Sequence, residues 1–304
     1  MTLTTDIATN FIEHKRQLGL KSSSLSSYSY TLYSKILPLL PSYIELIEHK
    51  NINNILLSFK NETNKNNYII LNEFCKFIYS YNDNYLRNFF NFTIPKSPKP
   101  KIDVFKDTEQ KQLLEYLLQN FNNFSFGILL ALTTGIRVGE LSALQFKDFS
   151  KNYFSISRTL QRVKDIEDRT KKKTKIIIDK PKSFKSIREI PLPNFLANKI
   201  DLLNKEGVDC YVLTGTKCYI EPRTVERKFK KILEKCEIEY RKFHTLRHTF
   251  ATNAIKQNLE TKILCEILGH SSIKTTLDLY VHIDIETKTE FINKMFITTK
   301  TSQN

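Results

Sequence analysis

A mainly α-helical fold with a small antiparallel β-sheet, divided between two domains, is what this sequence predicts, and three features predict it. Apolar residues recur at helical spacing along most of the chain. A proline- and lysine-rich stretch breaks that spacing near residue 100. Between residues 153 and 193 the pattern changes to short β-branched runs separated by polar turns. With 304 residues, 40% of them hydrophobic, the chain can bury two cores.

Residues 1–95 read as a helical domain. In "DIATNFIEHKRQLGL", Ile7, Phe11, Ile12 and Leu18 share a helical face, and Gly19 can end the helix. In "SSSLSSYSYTLYSKILPLL" the serines can cap, and Leu25, Tyr28, Leu32 and Ile36 form the stripe. "NYIILNEFCKFIYSY" is the most apolar helix of this part. Nothing in residues 1–93 looks catalytic.

Residues 96–105 form a basic linker within "TIPKSPKPKIDVF", where proline disfavours helix and keeps the chain extended. The second domain, 106–304, opens on "DTEQKQLLEYLLQN", where Asp107 and Gln110 stand at capping-box spacing. Phe126–Leu132 reads as a buried helix that Gly135 ends, with another beginning near Arg137. "YFSISRTL", "TKIIID" and "IREIPLP" read as strands, and helices resume at Phe195.

The net charge is +15, with +4 in residues 1–100 and +11 in residues 101–304. A chain basic in both halves suits a long polyanion, although a soluble protein can be basic for other reasons. The five cysteines include no C-x-x-C pair, which points to reduced thiols and away from a disulfide framework or zinc knuckle. No basic segment followed by an apolar one opens the chain, and no apolar run approaches the ~18 residues of a membrane span, so a cytoplasmic protein is expected.

Five segments hold polar groups that packing does not explain. In "TGIRVGEL", Arg137 stands at a helix start with Glu140 three residues on, able to orient its guanidinium, although the pair alone also reads as a surface ion pair. In "KPKSFKSIREIPLP", Lys182 precedes a hairpin turn and Lys185 lies within it, and a solvated turn is the plain reading of either. In "HTLRHTFAT", His244 and Arg247 are i, i+3, and His248 is one turn from His244. The two histidines have zinc spacing, but Arg247 between them repels a cation, and no metal is expected. "LGHSSIKTT" holds His270 at a corner after Gly269, and "TTLDLYVHI" carries Tyr280.

T-G-x-R-x-x-E-L, then P-K before a strand, then H-x-L-R-H, then L-G-H, then a tyrosine in "YVH", resembles the ordered signature of the tyrosine recombinases, the phage-integrase family, over residues 133–282. The resemblance implies a helical core-binding domain at residues 1–95 and a mixed α+β catalytic domain at residues 106–304. It implies a site-specific DNA recombinase, Xer-like or from a mobile element, that works through a covalent 3′-phosphotyrosine without cofactor or metal. Arg137 and Arg247 would clamp the phosphate, His244 and His270 would donate hydrogen bonds or handle protons, and Lys182 would protonate the leaving 5′ oxygen. Tyr280 would attack, and Glu140 would support Arg137. Ten positions separate His270 from Tyr280, one more than in many members. Pro181 directly before Lys182 favours it over Lys185 as the acid.

The implied partner is double-stranded DNA carrying a specific site, met as a homo-tetramer on two sites. Ile283, Phe291, Ile292 and Met295 would lie on a final helix that docks on a neighbouring protomer, or folds onto its own domain. Two other readings stand against this one. A non-catalytic DNA-binding protein on the same fold would have lost a catalytic position, and none is lost. A metal-dependent nuclease needs a carboxylate or Cys/His cluster, and none is visible.

Overall fold

The computed structural model describes residues 1–60, 65–81, 103–164, 174–179 and 187–269. The chain divides into two compact units, residues 1–100 with 162–176 and residues 101–161 with 177–304. Of the expected linker, residues 96–102 lie outside the described residues.

In the first unit, α1 (Thr4–Gln17) buries Ile7, Ala8, Phe11 and Ile12. Leu18 does not share that face as expected: it is 61% exposed, because the helix has ended and Gly19 turns away at φ +78°. In α2 (Ser22–Thr31) the cap position is Lys21 and no side chain caps it, so the serines sit inside the helix rather than before it. The chain continues through a π turn (Leu32–Ile36) and a tight 3-10 turn (Leu37–Leu39) around Pro38, which lacks the N–H an α-helix needs. Leu25, Leu32 and Ile36 are buried, and the half-buried Tyr28 donates its hydroxyl proton to Glu73 at 3.0 Å. Helices α3 (His49–Lys60) and α4 (Lys65–Tyr81) close the core, where the Phe11 and Phe74 rings lie 5.3 Å apart.

The second unit begins with α5 (Asp107–Gln119). Its capping bond is made one residue earlier than expected: Glu109 accepts from the Lys106 backbone N–H at 2.7 Å. Gln110 instead donates to the carbonyl of Phe105 at 2.8 Å. The central helix, α6 (Asn123–Thr134), is buried along almost its whole length. Asn122 caps it by accepting from the N–H groups of Phe124 and Ser125, and Gly135 ends it in the left-handed region at φ +66°. Helix α7 (Val138–Ala143) follows at once.

The expected sheet is present as two two-stranded pairs. "YFSISRTL" divides into β1 (Tyr153–Ile156) and β2 (Thr159–Lys164); β3 (Thr174–Asp179) pairs with β2, and β4 (Arg188–Pro191) pairs antiparallel with β1. Ile156 stands opposite Arg188 and Phe154 opposite Ile190. The pleat therefore turns Arg188 and Ile190 inward and leaves Glu189 and Pro191 out.

A short α8 (Asn194–Ala197) leads through irregular chain to α9 (Pro222–Lys235), α10 (His244–Lys256) and α11 (Thr261–Leu268). The core joins α5, α6, the inner residues of β1 and β4, and the Val225, Phe229 and Leu233 face of α9. All five cysteines are free thiols, and only Cys218 is exposed. Among the described residues no helix is long and apolar enough to cross a membrane.

Candidate active site

Three short segments bring charge to one place, the C-terminal end of α11. A helix leaves its last carbonyls without intrahelical partners, and their partial negative charge favours cations. Here three successive carbonyls each receive an arginine. Arg188 donates from Nε to Ile267, Arg247 from Nη2 to Leu268 at 2.7 Å, and Arg137 from Nη2 to Gly269 at 3.2 Å.

Each arginine arrives for a local reason. Arg137 is the residue before α7, reached directly after the Gly135 turn. Arg188 arrives on the inward face of β4. Arg247 lies in the first turn of α10, and its Nη1 also donates to the carbonyl of Gly135 at 2.8 Å. Gly269 ends α11 at φ +64°, and a Cβ there would stand 3.0 Å from Nη1 of Arg188. Glycine suits the left-handed conformation, and a side chain there would press on Arg188.

Glu140 is the counter-charge that three guanidinium groups need. Its carboxylate is 3% exposed and accepts four hydrogen bonds. Oε1 accepts from Nη1 of Arg137 at 2.7 Å and Nη1 of Arg188 at 3.1 Å; Oε2 accepts from the Arg137 backbone N–H at 2.9 Å and Nη2 of Arg188 at 3.0 Å. Burial works to raise its pKa, but the hydrogen bonds and charge of Arg188, then the charge of Arg137, outweigh burial and hold it at about 2.

The histidines shift the same way, but for a base a lowered pKa favours the neutral form. Partial burial of the ring, then the charges of His248, Arg247 and Arg137, lower the pKa of His244 to about 4, although the residue as a whole is exposed. His248 is lowered by burial and by Arg247, and its ring meets that of His244 edge-on at 4.6 Å. Both are neutral at neutral pH. Arg247, 3% exposed, is also pressed downward by burial and by Arg137, but a guanidinium starts from a pKa above ~12 and stays charged.

Of the residues singled out from sequence, Arg137, Glu140 and Arg247 meet at this helix end, with His244 one turn before Arg247 on the same helix. Lys182, Lys185, His270, Tyr280 and the final helix lie outside the described residues. Among the described residues no group of three or more His, Cys, Asp or Glu side chains is placed to hold a metal ion. Sequence reasoning missed Arg188. The signal was there: the alternation of "IREIP" puts an arginine on the same strand face as Ile190.

Comparison with known proteins adds a family. The phage integrase family matches residues 104–287. A XerC-like tyrosine recombinase of Caldanaerobacter subterraneus subsp. tengcongensis is 31% identical over 257 residues, 71% of this chain and 65% of that one. The ICEBs1 integrase of Bacillus subtilis is 25% identical over 210 residues, 65% of this chain and 55% of the integrase. The match therefore spans less than two thirds of either relative. Among solved structures, the Tn1549 transposon integrase in complex with transposon right end DNA superimposes with a TM-score of 0.70 at 18% identity, covering 97% of this chain and 99% of that one. A lambda integrase tetramer bound to a Holliday junction gives a TM-score of 0.67 at 17% identity, covering 94% and 80%. These two likenesses are of fold.

Proposed function

The chain belongs to the phage integrase family, and from that premise we propose that it is a tyrosine-type site-specific recombinase, cutting and rejoining double-stranded DNA through a covalent 3′-phosphotyrosine. The observation that carries the proposal is the convergence of Arg137 and Arg247 on the end of α11, next in the chain to His270.

Transesterification at phosphorus puts charge on the non-bridging oxygens, and planar guanidinium groups held in advance stabilise that charge as it develops. Arg137 and Arg247 do this. Arg137, with 37% of its side chain exposed, is the more accessible of the two. The phenol of Tyr280 has an ordinary pKa near ~10 and must lose its proton to attack. A neutral histidine can take that proton; the lowered pKa keeps His244 neutral near pH 7 but makes it a weak base, so the phenol also needs the positive charge of Arg137 and Arg247 beside the phosphate to ionise. The Oη–P bond forms, the P–O5′ bond breaks, and Lys182 gives the departing 5′ oxygen its proton. The phosphodiester energy is retained in the phosphotyrosine, so reversal rejoins the strand with no cofactor and no metal ion.

Residues 1–95 supply a second DNA-binding surface, residues 96–105 join it to the catalytic domain, and a tetramer brings two sites together. The lambda integrase tetramer on a Holliday junction supports that assembly by likeness of fold. On this reading its place of action is the cytoplasm.

The test uses a pool of nicked duplexes randomised across the nick. Wild-type protein traps a covalent adduct that EDTA does not prevent, and Tyr280→Phe traps none. Adduct from the Phe variant removes Tyr280 as nucleophile; a strict magnesium requirement points to a metal-dependent nuclease. Binding without any adduct points to a non-catalytic DNA-binding protein.

A further inference from the structure

We propose that Arg188 is a positioning residue of the cleavage reaction: through Glu140 it fixes the guanidinium of Arg137, and through the carbonyl of Ile267 it fixes the helix end that precedes His270. The proposal rests on the recombinase reading above.

Among the described residues, Arg188 is the one side chain that touches both the carboxylate and the helix end without an assigned place in the chemistry. Two of the four hydrogen bonds on Glu140 come from it. The other two come from Arg137, so the carboxylate is a rigid bracket between the arginine of β4 and the arginine before α7. Without Arg188, a buried carboxylate keeps half its donors and is free to tilt about the Arg137 side. The third bond, from Nε to Ile267, leaves in a different direction in the guanidinium plane. A planar fork can satisfy a bidentate carboxylate and a carbonyl together, whereas a lysine ammonium is a point charge that cannot.

The location is costly, which argues that the contacts matter. Strand β4 turns Arg188 into the core beside Ile190 and opposite Ile156, both buried. A charge there is tolerated only when fully paired. Buried ion pairs of purely structural role are often replaced by apolar residues with little loss of stability. A positioning role makes a different demand, because misplacing a phosphate-clamping group by about 1 Å costs about 10²-fold in rate.

The experiment uses the full chain and the duplex that wild-type protein selects as an adduct from the randomised nicked pool. Arg188→Met and Arg188→Lys are compared with wild type in equilibrium binding, single-turnover cleavage and thermal unfolding. We expect Arg188→Met to bind within about twofold of wild type and to cleave about 10²-fold more slowly, with Arg188→Lys recovering part of the rate. We also expect the lower acid limb of the cleavage profile, below the one that protonation of His244 sets near 4, to move to higher pH in both variants, because Glu140 has lost donors that keep it ionised; a residue that does not act through Glu140 leaves that limb in place. Cleavage by folded Arg188→Met within about twofold of wild type overturns the proposal. So does parallel loss of binding and cleavage in both variants. If Arg188→Met does not fold, Arg188→Lys decides: wild-type cleavage and an unmoved lower acid limb overturn it. Absence of any wild-type adduct overturns the recombinase reading and this proposal together, whereas the other failures leave that reading standing.

Discussion

Arg247 donates from Nη1 to the carbonyl oxygen of Gly135 at 2.8 Å, tying the first turn of α10 to the residue that ends α6. Gly135 holds φ +66°, and a Cβ there would come within 2.8 Å of Phe250 and 2.9 Å of Leu268. Gly135→Ala therefore meets a left-handed penalty of about 1–2 kcal/mol and an overpacking penalty of about 1–3 kcal/mol. We expect a loss of at least about 2 kcal/mol in urea unfolding, and a loss below about 0.5 kcal/mol would show that the turn has another way to close.

Helix α10 is also tied to the start of the second unit. The Phe105 N–H donates to Thr249 Oγ1 at 2.9 Å in a buried position, and the Thr249 hydroxyl in turn donates to the carbonyl of Thr245 at 2.8 Å. Arg241 reinforces the join, reaching Asp103 at 3.1 Å and Glu109 at 3.0 Å, with its guanidinium 5.1 Å from the centre of the Phe105 ring. Thr249→Val keeps the shape and strands the Phe105 N–H, at about 1–3 kcal/mol. Thr249→Ser keeps the hydroxyl and should be nearly wild type. Amide hydrogen exchange at Phe105 reads this directly: acceleration in the Val variant and not the Ser variant is the expected result, and equal rates in both would place the protection elsewhere.

The charged groups at the α11 end predict two separate acid transitions. His244 is held at about 4 against an ordinary 6.5, so between those values the unfolded chain binds more protons than the folded one. Stability is fully present above 6.5 and falls as the pH drops toward 4. Glu140 is held at about 2 against an ordinary 4.5, so its contribution is present above 4.5 and is lost as the pH falls toward 2. Urea midpoints measured against pH should therefore be flatter for His244→Asn in the upper window only, and flatter for Glu140→Gln in the lower window only. Slopes that change in the wrong window would reassign the groups.

Much of this cluster was legible because the groups that form it are close in sequence. Gly135, Arg137 and Glu140 form one turn, and His244 and Arg247 another, so spacing alone puts each set on one face. The helix ends at Gly135 and Gly269 were legible for the same local reason. What was not legible is long-range. Arg188 meets Glu140 from 48 positions away and Ile267 from 79, through a strand register that no local pattern states. Capping fared worse. Lys21 and Lys106 stand where Ser or Asp was expected, because the surrounding fold, not the best capping residue, sets where a helix begins.

Helix α9 predicts where salt-sensitive affinity resides. Val225, Phe229 and Leu233 recur every fourth residue on its buried face, and Arg223, Arg227, Lys231 and Lys235 recur every fourth residue on an exposed one. At 1.5 Å per residue the four cations span about 18 Å, a ridge suited to following a DNA backbone. Two other lysines of the helix are engaged, Lys230 near Glu234 and Lys228 over the Phe124 ring. Arg227→Gln with Lys231→Gln leaves the apolar face untouched, so stability should stay within about 0.5 kcal/mol. Each phosphate contact removed should lower the slope of log affinity against log salt by about 0.9, so the double variant should bind a random-sequence duplex with a slope shallower by about 2. A weaker affinity at every salt concentration with an unchanged slope would mean that these side chains do not meet phosphate, and that the positive charge of the second domain reaches DNA by another face.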